Sequence, residues 1–246
     1  MSLNIGTSLT GGLRRVATRN GVVLTLAYVL LGVVWQVLFY SAFVTWLHSS
    51  GEPATAVGLP TVDLPLAVSA VGAVVSLLLL QVAAIVAIRT FVGGQTGSIP
   101  AEYYTRNIAA VLVNAVVGSF VYGLLVLAGS VLLVVPGVIA YVAFLFMLFY
   151  VAVEDENFVA ALRESWTLTR GHWLALFALV LILFVGLSVV SGVLSVVASL
   201  VVGAVAGPAL GTLVSGVVTF PFSLLVLGIL AEAFVQLRGD DTVTAI

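Results

Sequence analysis

Six long apolar segments alternate with short polar segments along the chain. A helix rises about 1.5 Å per residue, so about 20 apolar residues cross the roughly 30 Å hydrocarbon core of a bilayer. The pattern predicts an all-α fold, a polytopic membrane bundle of six transmembrane helices over residues 22–236. The spans are predicted at 22–46, 66–90, 108–134, 138–153, 173–200 and 209–236.

The polar segments predict short helices at the membrane surface and a terminal tail. Residues 1–21 carry Leu9, Leu13 and Val16 at helical spacing, which predicts an N-terminal interfacial segment on the cytoplasmic side. Residues 237–246 are polar and form a predicted cytoplasmic tail. Pro136 and Gly137 predict a turn that opens the fourth span.

The segment after the fourth span is amphipathic. The run Glu154–Asp155–Glu156 is interpreted as a solvated stop signal, and Asp155 is expected to cap the helix that follows. The preferred interpretation is a connector that docks on neighbouring spans. The alternative is a platform for lipid headgroups or a soluble partner, anchored by tryptophans. One face of this helix carries Phe158, Leu162, Ser165, Trp166 and Thr169.

Arginine positions predict the orientation of the chain. With six spans and both termini in the cytoplasm, all eight arginines fall on the inner side and none on the outer side. Arginine and lysine are concentrated in cytoplasmic loops of membrane proteins. The sequence therefore predicts a multi-pass protein of the cell membrane with cytoplasmic N- and C-termini.

Composition narrows the class of protein. The chain is 62% hydrophobic and 7% charged, with a mean hydropathy of +1.30, so lipid is its expected solvent and the bilayer its expected partner. A net charge of −2 gives no basis for nucleic-acid binding. There is neither cysteine nor lysine, and Val, Ala and Gly are abundant. This composition suggests a prokaryotic origin, with a halophilic archaeon as one candidate.

A short sequence recurs before each outward span. Thr18–Arg19–Asn20, Thr105–Arg106–Asn107 and Thr169–Arg170–Gly171 occupy equivalent places in the predicted topology. One interpretation is a pseudo-repeat of three hairpins, each made of an interfacial helix and two spans. The other is that arginine snorkels wherever a helix enters from the cytoplasm.

Three polar residues form a candidate polar pocket in the cytoplasmic half of the bundle: Gln81, Asn114 and Glu232. Gln81 and Asn114 lie at matching depths, which predicts a hydrogen bond between them or a shared pocket, with a structural role preferred over ligand binding. Glu232 is interpreted as an acid paired with a cytoplasmic arginine, and the alternative is a proton or cation site.

Small residues line one face of each of the last two spans. The preferred interpretation is close packing between spans of the same chain, and the alternative is a homodimer interface. The faces consist of Ser188, Gly192, Ser195 and Ser199, and of Gly207, Gly211, Ser215, Thr219 and Ser223.

No catalytic, metal-binding or cofactor-binding pattern is recognised. The two histidines, His48 and His172, fall on opposite sides of the membrane in this topology, so they do not share a site. Neither a G-x-S-x-G elbow nor an H-E-x-x-H zinc helix occurs. We therefore expect no catalytic residues, no metal and no cofactor.

The layout around the fourth span resembles a family of six-span prokaryotic membrane proteins. That family includes the membrane domain of some glycerophosphodiester phosphodiesterases and related inner-membrane proteins of uncharacterised role. The resemblance implies the six-span plan but no catalysis, because the chain lacks the soluble phosphodiesterase domain. The matching residues are Pro136, Gly137, Glu154, Ala161, Leu162, Ser165, Trp166, Leu168, Thr169, Arg170 and Gly171.

Three functions follow as hypotheses. The leading one is a non-enzymatic scaffold or accessory protein of the membrane, which acts with another membrane protein or as a homodimer. The second is a small transporter or permease that uses the polar pocket. The third, an intramembrane enzyme, has the least support from the sequence.

Overall fold

The computed structural model describes residues 3–51 and 59–239. Within them the chain forms ten α-helices and no strand, which confirms the all-α prediction. The helices are α1 (Ile5–Val16), α2 (Arg19–Ser49), α3 (Leu66–Val92), α4 (Glu102–Thr105), α5 (Ile108–Leu132), α6 (Val134–Ala143), α7 (Met147–Glu154), α8 (Phe158–Thr169), α9 (Trp173–Ala206) and α10 (Pro208–Arg238).

Six helical segments of the described chain are long and apolar enough to cross a membrane, so the chain is a multi-pass helical membrane protein. Each predicted span corresponds to one of these segments. The observed bounds are Arg19–Ser49, Leu66–Val92, Ile108–Leu132, Val134–Glu154, Trp173–Ala206 and Pro208–Arg238.

The fourth span differs from its prediction in two ways. The predicted Pro136–Gly137 turn is wrong, because both residues lie inside α6 and the extended residue before it is Leu133 (φ −161°, ψ 145°). Proline fits the first turn of a helix, where the N–H groups have no acceptor within the helix. The span is also broken, since α6 ends at Ala143 and α7 begins at Met147.

Helices α5 and α6 approach each other closely at two glycines. A Cβ atom added to Gly129 would lie 2.9 Å from both the Cα and the N atoms of Gly137. Gly123, on the same helix α5, has open space at the corresponding position. The glycine that was expected to make a turn therefore lets two helix backbones pack together, as small residues do in lipid.

A short helix precedes three of the spans. Helices α1, α4 and α8 come before α2, α5 and α9, so the order of a short helix and two spans occurs three times. This order agrees with the predicted unit, but the equivalence of the three hairpins stays a prediction. The repeated arginines make different contacts, since Arg19 donates to the Gly97 carbonyl and Arg106 pairs with Asp155.

The chain divides into two compact units. The first holds residues 3–24, 81–184 and 224–239, and the second holds 25–51, 59–80 and 185–223, among the described residues. The core of the first unit is aromatic, with ring centres of neighbouring side chains 5.2–5.6 Å apart. This aromatic core consists of Phe146, Phe149, Tyr150 and Phe234.

The second unit packs through small residues, as predicted for the last two spans. A Cβ atom on Gly211 would lie 2.6 Å from the Ser199 carbonyl oxygen. The Ser195 hydroxyl donates to the Ser215 carbonyl at 3.1 Å. Gly192, by contrast, has open space around it, so only part of the small face on α9 is used within the chain. The homodimer alternative stays a prediction.

Candidate functional site

A buried arginine joins three helices of the first unit. Arg89 stands in the last turn of α3 and is only 3% exposed. Its Nε donates to the Ala152 carbonyl at 2.5 Å, and its Nη1 donates to the carbonyls of Tyr103 at 2.9 Å and Arg106 at 3.1 Å. Its Nη2 lies 2.7 Å from Asp155 Oδ1. One guanidinium thus connects the ends of α3, α4 and α7.

Asp155 gathers three donors at the end of α7. Besides Arg89, it accepts from Arg106 Nε at 3.1 Å and from Asn107 Nδ2 at 3.0 Å. Asp155 and Asn107 both have left-handed backbones, with φ of 56° and 48°. Aspartate and asparagine tolerate this conformation better than most residues do, so it suits both positions.

The expected capping of α8 by Asp155 is wrong. Asn157 caps this helix, because its Oδ1 accepts from the backbone N–H groups of Val159 at 3.1 Å and Ala160 at 3.0 Å. Asp155 instead terminates the preceding helix α7. Asparagine is among the strongest N-cap residues, and Asn157 stands directly before the first turn of α8.

Two more ion pairs hold the C-terminal part of α10. Arg15 of α1 lies 2.6 Å from Glu232 and also donates to the Phe91 carbonyl. Arg238 lies 2.6 Å from Glu154, and its guanidinium carbon is 5.3 Å from the ring centre of Phe234. We call the whole set the arginine clamp: Arg15, Arg89, Arg106, Arg238, Glu154, Asp155 and Glu232.

The acidic run ends the fourth span, as its interpretation as a stop signal required, but it is only partly solvated. Glu154 and Asp155 both form ion pairs with arginines from other helices. Among the described residues, Glu156 has no ion pair, and burial together with the nearby Glu154 and Glu164 raises its pKa above the ordinary value. The run therefore ends the fourth span by anchoring it to other helices.

The three candidate pocket residues do not bond to one another. Asn114 donates to the Ala110 carbonyl at 2.9 Å and accepts from the Phe158 N–H at 3.1 Å. The predicted hydrogen bond to Gln81 is therefore wrong, and Gln81 Nε2 is buried with no partner in the described part of the chain. Glu232 pairs with Arg15, as its preferred interpretation required. A shared polar pocket stays a prediction.

Helix α8 docks on the break in the fourth span. Ala161, Ser165 and Thr169 are fully buried and lie four residues apart, on one helix face. The Ser165 hydroxyl donates to the Ala143 carbonyl at 2.9 Å and accepts from the Phe146 N–H at 3.1 Å. The Thr169 hydroxyl also donates to the Ala143 carbonyl, at 3.1 Å. These hydroxyls satisfy backbone groups that lipid would leave unpaired.

This docking confirms the preferred interpretation of the segment as a connector, but with a shifted face. The buried line runs through Ala161, which the predicted face omitted, whereas Trp166, which the predicted face included, is 38% exposed. Leu162 and Leu168 are half-buried, and Arg170 is exposed. Gly171 has φ of +90°, a conformation that glycine adopts without strain. The residues of the family resemblance in and after α8 thus provide a docking face and a turn into α9.

Removing the Ser165 hydroxyl is expected to destabilise the protein. Ser165→Ala leaves the buried Phe146 N–H without an acceptor, which should cost about 1–2 kcal/mol of unfolding free energy. Thr167→Ala on the exposed face of α8 is the matched control, because its hydroxyl bonds only within its own helix. Thermal unfolding in mild detergent measures both. Equal midpoints for the two variants would contradict the bridging role of Ser165.

An open pocket lies where α8 gives way to α9. Its volume is about 440 Å³, and it is lined by Leu3, Gly171, His172, Trp173, Leu174 and Ala175. Trp173 stacks edge-on against Trp166, with ring centres 5.3 Å apart. Within residues 3–51 and 59–239, no group of three or more His, Asp or Glu side chains is arranged to hold a metal ion.

Comparison with known proteins gives a family but no named relative. No curated protein and no solved structure matches the chain. The family model described as a domain of unknown function, DUF7847, matches residues 3–237. That match covers nearly the whole sequence, from the segment before α1 to the last turn of α10. The chain therefore belongs to the DUF7847 family.

Proposed function

We propose that this protein is a non-enzymatic scaffold or accessory protein of the cell membrane, which acts through another membrane protein or a second copy of itself. The observation that carries the proposal is that polar side chains in the spans bond to other helices of the same chain. Asn114 and Glu232, two of the three polar candidates in the spans, bond to neighbouring helices. Polar groups engaged in this way stabilise a bundle instead of lining a path for a solute.

The resemblance to the membrane domain of glycerophosphodiester phosphodiesterases supports the same role. It rests on residues that the fold uses structurally, such as Ser165 and Thr169 at the break in the fourth span. From the composition alone, we also propose that the protein comes from a prokaryote, with a halophilic archaeon as one candidate.

The proposed orientation places both termini in the cytoplasm. All eight arginines belong to the first unit, and four of them meet acids from other helices in the arginine clamp. These contacts support placing the ends of α3, α7 and α10 on one side of the membrane. The positive-inside rule assigns that side to the cytoplasm.

Cysteine labelling tests the orientation, because the chain has no cysteine of its own. Ser50→Cys should react with a membrane-impermeable maleimide on intact cells. Thr167→Cys should react only after the membrane is permeabilised. Both side chains are exposed, so accessibility depends on the side of the membrane. The reverse labelling pattern would refute the orientation.

The scaffold role is tested by purification from the membrane in mild detergent. We expect the protein to bring down a defined membrane partner, or a second tagged copy of itself, in a stable ratio. A matched preparation of an unrelated six-span protein controls for detergent carry-over. A protein that purifies as a monomer from crosslinked and uncrosslinked membranes alike would argue against this function.

A small transporter is the second candidate, because Gln81 Nε2 is buried and has no partner among the described residues. An unpaired amide inside a span is costly, and such groups often face a cavity. Transport predicts that Gln81→Cys reacts with a water-soluble maleimide from one side of the membrane. The scaffold role predicts no reaction, with Thr167→Cys as the positive control.

A further inference from the structure

The eight arginines fall into two groups of four. Arg15, Arg89, Arg106 and Arg238 form ion pairs within the arginine clamp. The other four are exposed, and none has an ion pair within the described residues. Arg14 and Arg163 belong to short helices, Arg170 directly follows one, and Arg19 begins α2. This second group is available to an anionic partner.

Arg170 differs from the others because it directly precedes, in the chain, the residues that line the open pocket. The lining begins at the next residue, Gly171, and continues into the first turn of α9. A volume of about 440 Å³ is within the range of small-molecule sites. Most of the lining is apolar, from Leu3, Trp173 and Leu174 among others. An exposed arginine is therefore the chain neighbour of an apolar cavity.

Aromatic and aliphatic side chains beside the pocket have the character of a membrane interface. Trp173 donates from Nε1 to the Thr169 hydroxyl at 3.4 Å, and Trp166 packs against its ring. Leu174, which belongs to the lining of the pocket, is 87% exposed. Tryptophan is enriched at the headgroup level of bilayers, and an exposed leucine beside it suits contact with acyl chains.

We propose that this pocket binds one anionic phospholipid, with its phosphate at Arg170 and an acyl chain along Leu174. Guanidinium groups bind phosphate oxygens through paired hydrogen bonds. The acid Glu164 of α8 forms no ion pair with Arg170 within the described residues, and Arg170 follows the last helical residue, Thr169. The site goes beyond the scaffold role, since it requires a lipid surface and no protein partner.

The test is to titrate the delipidated protein in detergent with phosphatidylglycerol and to measure its melting temperature at each lipid concentration. A lipid that binds the folded state raises this temperature with concentration. Phosphatidylcholine and inorganic phosphate serve as the neutral-lipid and free-phosphate arms. Arg170→Gln should weaken phosphatidylglycerol binding roughly fivefold, while Arg163→Gln should change it less than about twofold.

A second variant separates the pocket from the charge. Ala175→Trp fills the cavity and leaves Arg170 in place, so it should also abolish the lipid-specific shift while the lipid-free protein keeps a cooperative transition. Equal shifts with phosphatidylcholine, equal losses in both arginine variants, or full binding by Ala175→Trp would each overturn the site. A shift with inorganic phosphate alone would show an anion site instead. None of these outcomes bears on partner capture, so the scaffold proposal is tested separately.

Discussion

Arg89→Met is expected to lower the free energy of unfolding by about 3–5 kcal/mol, the usual cost of breaking a buried ion pair on one side. Asp155 keeps Arg106 as a partner, so much of the cost comes from the backbone. The carbonyls of Ala152 and Tyr103 lose the donor that Arg89 provides. Because these carbonyls end different helices, the variant should loosen α3, α4 and α7 together.

The measurement is thermal unfolding in mild detergent, followed by size-exclusion chromatography. Arg14→Met is the matched control, since Arg14 is exposed and has no ion pair within the described residues. Arg89→Lys should fall between the wild type and Arg89→Met, because an ammonium cannot reproduce the planar fork of donors. If the unfolding midpoints of Arg89→Met and Arg14→Met are equal, Arg89 does not stabilise the ends of the three helices.

Adding one methyl group should have opposite effects at two glycines of the same helix. Gly129→Ala is expected to destabilise the protein by about 2–3 kcal/mol, because its Cβ would overlap the backbone of α6 and force the two helices apart. That backbone contact is at Gly137 and involves no flexible side chain that could move away. Gly123→Ala should instead stabilise it by about 0.5–1 kcal/mol through helix propensity.

The comparison is internally controlled, because both substitutions lie on α5 and change the same atoms. Unfolding midpoints in one detergent give the sign of each effect. A double variant should show nearly additive changes, since the two positions are well separated along the helix. If both substitutions shift the midpoint in the same direction, the close contact between α5 and α6 is not the reason for glycine at 129.

The spans were predictable because lipid imposes a simple requirement on sequence. Each helix must present apolar side chains over its full length, and hydropathy records that length directly. Trp173 at the start of α9 and Arg89 near the end of α3 agree with the predicted span bounds to within a few residues. The docking of α8 could also be predicted, since its amphipathic pattern favoured a connector that packs on neighbouring spans.

The contacts of the polar residues were not predictable in the same way. Depth along a span can be counted from sequence, but the rotation of the helix about its axis cannot. Gln81 and Asn114 were paired by depth alone, and Asn114 instead accepts from the N–H of Phe158. Likewise, the arginine pattern indicated the side on which Arg89 lies, but not that it bonds carbonyls of other helices.

The break in the fourth span left no trace in hydropathy. Residues Phe144, Leu145 and Phe146 are as apolar as any helical stretch, so their hydropathy does not indicate the break between α6 and α7. The interruption depends on a hydroxyl group about twenty residues further along the chain, and local patterns do not encode such a partner. The same limit hid the role of Asp155, whose partners Arg89 and Arg106 are distant in the chain, although the cap that Asn157 makes is local.

This broken helix has a consequence for biosynthesis. When the ribosome has delivered the chain as far as Glu154, the N–H of Phe146 still lacks the acceptor that it finds in the finished protein. That acceptor, Ser165, must still be translated and folded back before the segment can leave the protected environment of the insertion machinery. Release of the fourth span into lipid should therefore wait for the synthesis of α8, a helix that itself does not cross the bilayer.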